Sequence, residues 1–244
     1  MKQIFIQILI LVISLQSLFA SPWVLLRTED EIKVSERKED DRELPSFKGE
    51  GLVKSRPFPI LAVLADGSRR REWMHRSGET KVLKQVSDYE AISYQQTIAP
   101  WPVSDREVIM RTRVFMRKDE KGLIELVATF DGEKHDDLRK LNADKFVWMS
   151  YLKGYWHLKQ VGPEETIVTY MVNTDPGGSL PDWLINRITR DLPYYTIFYL
   201  REQVAKTKGQ YESYLKKYDP QYPNREGDAV IPPPLSEDAL KRLK

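Results

Sequence analysis

Apolar and polar residues alternate through most of this chain, and near its end the alternation gives way to apolar positions three and four apart. Alternation places successive side chains on opposite faces of a strand, whereas the wider spacing lines one face of a helix. Ile32 and Val34 against Lys33, Ser35 and Arg37 are the clearest short example of the first pattern. Strands are predicted over Trp23–Arg27, Ile32–Arg37 and Ser46–Lys54, where Gly49 and Gly51 suggest a bulge or strong curvature. Pro57–Asp66 is a short apolar helix stopped by Gly67. Thr80–Ser87, Tyr89–Ile98, Arg106–Arg117 and Gly122–Asp131 follow as four strands joined by turn-like segments, which is the pattern of an antiparallel meander. Phe146–Val161 and Thr166–Asp175 complete the set.

Parity sorts the faces. In Arg106–Arg117, Val108, Met110, Thr112, Val114 and Met116 share one side, and Glu107, Arg111, Arg113 and Arg117 share the other. Those arginines read as a solvated outer face. Ile124, Leu126, Ala128 and Phe130 form the inner face of the next strand, and Trp148, Leu152, Gly154 and Trp156 share a parity in the one after. Val168, Tyr170 and Val172 alternate in the last.

The stretch Asp175-Pro-Gly-Gly-Ser-Leu-Pro-Asp-Trp-Leu-Ile-Asn186 turns strand into helix. Pro176, Gly177 and Gly178 stop the strand, because proline lacks a ladder N–H and glycine readily adopts turn conformations. Ser179 reads as an N-cap, with Asp182 completing a capping-box pattern and Pro181 in the first turn. Leu180, Leu184 and Ile188 then recur four apart, flanked by Trp183, Ile185 and Leu192. The pattern persists to about Tyr218, with a kink expected at Pro193 and a weak point at Gly209. A helix this long and apolar, arriving after a run of strands, must lie against a sheet. The fold class is therefore α+β.

Composition adds the compartment and removes several functions. Lys2 followed by the apolar run Ile8–Ile13 and a small residue at Ala20 is the pattern of a secretory signal peptide, too short and too interrupted for a membrane span. The absence of cysteine excludes a lipoprotein anchor and any disulfide, and no Asn-x-Ser/Thr sequon occurs, which fits a bacterial periplasm. Balanced charge, 38 basic against 36 acidic residues, argues against a nucleic-acid footprint. His75, His135 and His157 stand apart, so neither a metal site nor a catalytic constellation is implied, and no cofactor. Residues 21–218 are read as one domain, and 219–244, with Pro232–Pro234 and a marginal helix over Ser236–Leu243, as a tether.

The Asp175–Asn186 stretch resembles the signature that precedes the last helix of the START domain, the StAR-related lipid-transfer fold, and the resemblance extends over roughly Trp23 to Tyr218. It implies a helix-grip fold: a curved antiparallel sheet wrapped around the C-terminal helix, enclosing a hydrophobic tunnel for one lipid, without covalent chemistry. Strand parity and the helix stripe then nominate Met110, Thr112, Trp148, Leu152, Tyr170, Trp183, Leu184 and Ile188 as lining. Arg70-x-x-Trp73 matches the first part of an Arg-x-x-Trp-Asp pattern whose arginine meets a lipid phosphate in one member, but Met74 stands where the aspartate would be. Some cholesterol-binding members place a charged pair where Gln95 and Thr112 stand here, so recognition by that means is not expected, and the resemblance nominates Arg70, Trp73 and Gln95 as ligand-binding residues beside the lining. The Ala99–Asp105 loop, with Trp101 between Pro100 and Pro102, corresponds to the mouth, with Trp101 either an outward tip for transient membrane contact or a plug of the core. A monomeric carrier is the expected form. The alternatives are an enzyme of the same scaffold, cyclase- or hydrolase-like, and a ligand-sensing scaffold that meets a protein partner through its Pro-rich tail.

Overall fold

The computed structural model describes residues 22–42, 44–134, 146–178, 180 and 182–243, with Leu184 the only side chain described between 182 and 190. The N-terminal stretch expected to be a signal peptide, Ser179 and Pro181 therefore lie outside the described residues. The strands are β1 (Val24–Glu29), β2 (Ile32–Arg37), β3 (Ser46–Val53), β4 (Ser77–Ser87), β5 (Glu90–Thr97), β6 (Arg106–Lys118), β7 (Ile124–Gly132), β8 (Val147–Trp148), β9 (Tyr151–Gly162) and β10 (Glu165–Asp175). The helices are α1 (Pro57–Ala65), α2 (Asp182–Lys206), α3 (Glu212–Tyr218) and α4 (Glu237–Arg242), with a 3-10 turn over Gly67–Glu72.

The strands form one sheet in the order β1-β2-β3-β10-β9-β7-β6-β5-β4. Every neighbour on that path is antiparallel, while the short β8 pairs parallel with β6. The sheet curls around α2, and the main core lies between them: Ile197, Leu200 and Leu184 are fully buried from the helix side, facing Val34, Val168, Leu126 and Ile124 of the strands. Among the described residues no helix is long and apolar enough to cross a membrane.

The two glycines of β3 are explained by the helix and not by a bulge. β3 pairs with β2 and β10 without a register shift. A Cβ at Gly49 would instead sit 2.8 Å from the Pro193 carbonyl oxygen, and one at Gly51 3.1 Å from the Ile197 side chain. Their absent side chains let α2 press directly on the sheet. α2 continues through Pro193 and stops at Lys206, short of the predicted end at Tyr218, because Gly209 takes a left-handed φ of +82° and α3 starts anew beyond it.

The segment after Tyr218 is docked, not a loose tether. Met116 N–H donates to the Pro233 carbonyl at 2.9 Å, and Ser236 caps α4 by accepting from Ala239 N–H at 3.1 Å. Ala239, wholly buried, packs with Leu235 and Leu243 on Val127, Tyr155 and Met171 of the outer sheet face. Parity predicts the outer face but cannot predict what covers it.

Candidate functional site

Between the concave sheet face and α2 lies a cavity of about 670 Å³. It follows β5 from Glu90 to Thr97, a path of roughly 24 Å at about 3.4 Å per residue. Val108, Met110, Thr112 and Val114 of β6 face it, as the alternation predicts. Aromatic side chains of the neighbouring strands continue that face: Tyr170 stands 4.4 Å from Trp156 and 6.1 Å from Phe130 between ring centroids.

Of the residues nominated from sequence, Arg70, Gln95, Met110, Thr112, Leu152, Tyr170 and Leu184 border this cavity. The side chains of Trp183 and Ile188 lie outside the described residues. Two nominations are corrected. Trp148 is not on the lining: the strand breaks at Met149–Ser150, and β8 pairs with β6 before the chain rejoins the sheet as β9. Parity counted from β9 therefore does not carry across the break, so Met149 borders the cavity while Trp148 packs outside, against Ile92, Tyr94 and Ile109. Trp73 sits one layer back, 2% exposed, edge-on to Trp156 at 6.0 Å, where it supports the wall without reaching the cavity.

Arg70 is the polar centre. Arg70 Nη1 donates to Gln95 Oε1 of β5 at 3.2 Å while Nη2 donates to the Leu64 carbonyl at 2.8 Å. Its buried Nε has no partner, and Thr80 Oγ1, also on the lining, has none either. Among the described residues no carboxylate pairs with Arg70. Burial lowers its pKa from the ordinary value, partly offset by the Tyr170 ring and Asp66, and burial likewise raises the pKa of the Tyr170 phenol. A cation this deep without a counter-ion leaves a site ready for an anionic or strongly dipolar group.

One end of the cavity is bordered by the Ala99–Asp105 loop together with Leu180 and Leu184. Asp105 pins the loop, accepting from Gln96 Nε2 at 2.8 Å and Ala99 N–H at 2.9 Å, while Ile98, Ala99 and Val103 border the cavity. Arg106 reaches across to the carbonyls of Pro176 at 3.4 Å and Gly177 at 3.3 Å. Gly177 and Gly178 both hold φ +66°, so the glycine pair is required by backbone conformation. Trp101 is 91% exposed, which decides for the outward tip over the core plug. His75, which isolated spacing marked as a structural or solvated histidine, stacks on Tyr195 of α2 at 5.0 Å and borders the cavity. Thr80, Met149 and the α3 residues Tyr214 and Tyr218 also border it and carry no sequence signal, since each arrives through tertiary contacts.

Comparison with known proteins agrees with this geometry. A crystal structure of a StAR-related lipid transfer protein from Xanthomonas axonopodis is 29% identical and superposes with a TM-score of 0.64, covering 75% of this chain and 98% of that one. Human StAR-related lipid transfer protein 5, 15% identical with a TM-score of 0.67 over 85% of this chain and 95% of its own, shares the fold. A Pseudomonas aeruginosa protein described only as uncharacterized is 31% identical over 189 residues, 77% of this chain and 89% of its own. The mouse START domain-containing protein 10 is 24% identical over 67% of this chain, which spans about half (52%) of that relative's length. The START domain family model matches residues 16–208, and the chain belongs to the START domain family.

Proposed function

We propose that the protein binds one hydrophobic molecule carrying an anionic or dipolar head group and transfers it between membranes without altering it covalently. The observation that carries this reading is the buried Arg70, which pairs with no carboxylate among the described residues, on the wall of a mostly apolar cavity of about 670 Å³. That volume lies in the range of small-molecule sites, about 300–1,000 Å³. Burying an acyl chain of about 14 methylenes contributes roughly 11 kcal/mol before the costs of binding, whereas one charged hydrogen bond adds about 1.5–3. The apolar wall therefore supplies affinity, and Arg70 selects among head groups.

We read the cavity as a carrier and not a reaction chamber because its ionisable groups are dispersed. Arg70 is held by Gln95, His75 lies against Tyr195 of α2, Arg106 is held by the Pro176 and Gly177 carbonyls, Glu90 pairs with Arg111 and Arg113, and Lys217 and Asp88 pair with each other at 2.7 Å at the far end. General acid–base chemistry needs such groups to converge on one reacting atom. The same reading includes export of the mature chain from near Ser21 and membrane contact through Trp101. Native mass spectrometry of the purified protein should show a co-purified lipid at one per chain, and the loaded protein should move a fluorescent phospholipid between vesicles. Covalently changed ligand after incubation, or no lipid uptake at all, would refute the proposal.

A further inference from the structure

Helix α3 closes the end of the cavity remote from Trp101. Tyr214, Lys217 and Tyr218 border the cavity from the helix, and Gln85, Asp88 and Tyr89 border it from the β4–β5 turn opposite. The seam between these elements is a second point at which the cavity could open.

Three features of the seam belong together. First, α3 is joined to α2 through Gly209, whose φ of +82° needs glycine and whose missing Cβ would meet nothing within 4 Å. This is an uncrowded swivel. Second, α3 is latched to the turn by Lys217 Nζ at 2.7 Å and the Tyr218 hydroxyl at 2.6 Å, both on Asp88 Oδ1. That latch is exposed, so solvent and salt weaken it. Third, the chain beyond α3 returns and bonds to both sides of the seam. Arg225 donates to the carbonyls of Lys216 at 2.7 Å, Lys217 at 3.3 Å and Asp219 at 3.2 Å, satisfying groups that a helix C-terminus leaves open. Val230 N–H donates to the Lys217 carbonyl at 3.0 Å, and the Val230 carbonyl accepts from the Tyr89 hydroxyl. The crossing segment then pairs through Pro233 and Pro234 with Met116 at the edge of β6 and is anchored on the outer face, where Ala239 is wholly buried and Arg242 meets Asp131 at 2.9 Å.

We propose that the C-terminal segment 219–243 is a strap that keeps α3 shut over a second opening of the cavity, so that its undocking from the outer sheet face sets the rate of ligand exchange at that end. A seven-residue helix such as α3 has no stability of its own, so its position is that of whatever holds it. Leu215 against the core and Tyr211 on Asp66 at 3.0 Å hold its first turns, while its last turn is held by Tyr218, edge-on to Tyr89 at 5.5 Å, by the weak latch and by the strap. Pro232, Pro233 and Pro234 suit a strap, because proline loses little conformational freedom on docking. The segment lies outside residues 16–208 matched by the family model, so it adds to the fold without being part of the match. The proposal rests on the reading of the cavity as a lipid site.

The test uses the full chain loaded with a pyrene-labelled fatty acid, with release into excess albumin followed by stopped flow. Ala239→Glu places a carboxylate in a wholly buried contact and undocks α4; Leu235→Ser loosens the same contact without a buried charge and serves should the first variant not fold. Release should accelerate about tenfold or more in either variant, and amide exchange should show α3 losing protection together with 230–243. Asp88→Asn, which weakens only the latch, should accelerate release less than about threefold. Unchanged release from a folded variant whose 230–243 amides have lost protection would overturn the strap. A wild-type chain that never takes up the probe refutes the lipid reading instead, and α3 protection that survives strap undocking then overturns the strap by itself.

Discussion

The Arg70 guanidinium donates to the Gln95 amide at 3.2 Å on the cavity wall, where a neutral acceptor stands in the place a carboxylate would need to cancel the charge. A buried cation held by an amide and a backbone carbonyl is fixed in place but not neutralised, so its remaining charge is directed at whatever enters. Gln95→Glu supplies the missing carboxylate. It should pair with Arg70 and stabilise the empty protein, while lowering affinity for an anionic amphiphile about tenfold or more, the equivalent of about 1.4 kcal/mol. Thermal melts and titration calorimetry with a fatty acid and an uncharged alcohol of equal length check both arms. The alcohol should be affected little.

Trp101 offers a second measurement. A ring 91% exposed has little contact to lose, so Trp101→Ser should change stability by under about 0.5 kcal/mol. Transfer between vesicles should nevertheless slow, because an amphipathic ring at the mouth suits the membrane interface. Equal transfer rates for the two proteins would remove the membrane role of the loop.

Thr112 and Trp148 should respond in opposite ways. Thr112 borders the cavity, so Thr112→Phe fills space and should reduce lipid uptake severalfold with a small change in melting temperature. Trp148 packs with Ile92, Tyr94 and Ile109 outside it, so Trp148→Ala should cost about 2–4 kcal/mol of stability and leave affinity for the probe unchanged. Urea unfolding alongside a fluorescent-lipid titration separates the two.

The pH dependence of stability carries a signature of His75. Burial lowers its pKa below the ordinary 6.5, Arg76 adding to the effect and Asp191 opposing it. The unfolded chain therefore takes up a proton near pH 6.5 that the folded chain refuses until lower pH. Stability is fully present above that value and is lost as pH falls through the interval down to the folded pKa. His157, buried against Glu125 at 2.5 Å, is shifted in the same direction for the same first cause. Melting temperature measured from about pH 7 to about pH 5 should consequently fall less steeply in His75→Phe than in the wild type, with the His157 share remaining. Parallel curves would show that His75 does not contribute.

Local chemistry made much of this fold legible before any coordinates. Strand parity in β6 placed Met110 and Thr112 on the concave face because alternation is a property of the extended backbone itself. The glycine pair at Gly177 and Gly178 marked the strand-to-helix turn because only that conformation, φ +66° at both, lets the chain reverse there. What parity could not carry was any break in the ladder. Met149 and Trp148 exchanged places because β8 pairs with β6, a partner remote in sequence. Gly49 and Gly51 were visible as glycines, but the reason for them, the close approach of Pro193 and Ile197, exists only once α2 lies on β3. The same holds for the site. Thr80 is an unremarkable polar residue along the chain and Arg70 and Gln95 stand out there only through the family resemblance; burial beside the cavity is what leaves a cation that pairs with no carboxylate among the described residues and a hydroxyl without a partner. Sequence determined the elements and their faces through short-range sterics and periodicity. The tertiary structure decided which faces meet, because desolvation and contact between distant segments are properties of the packed chain.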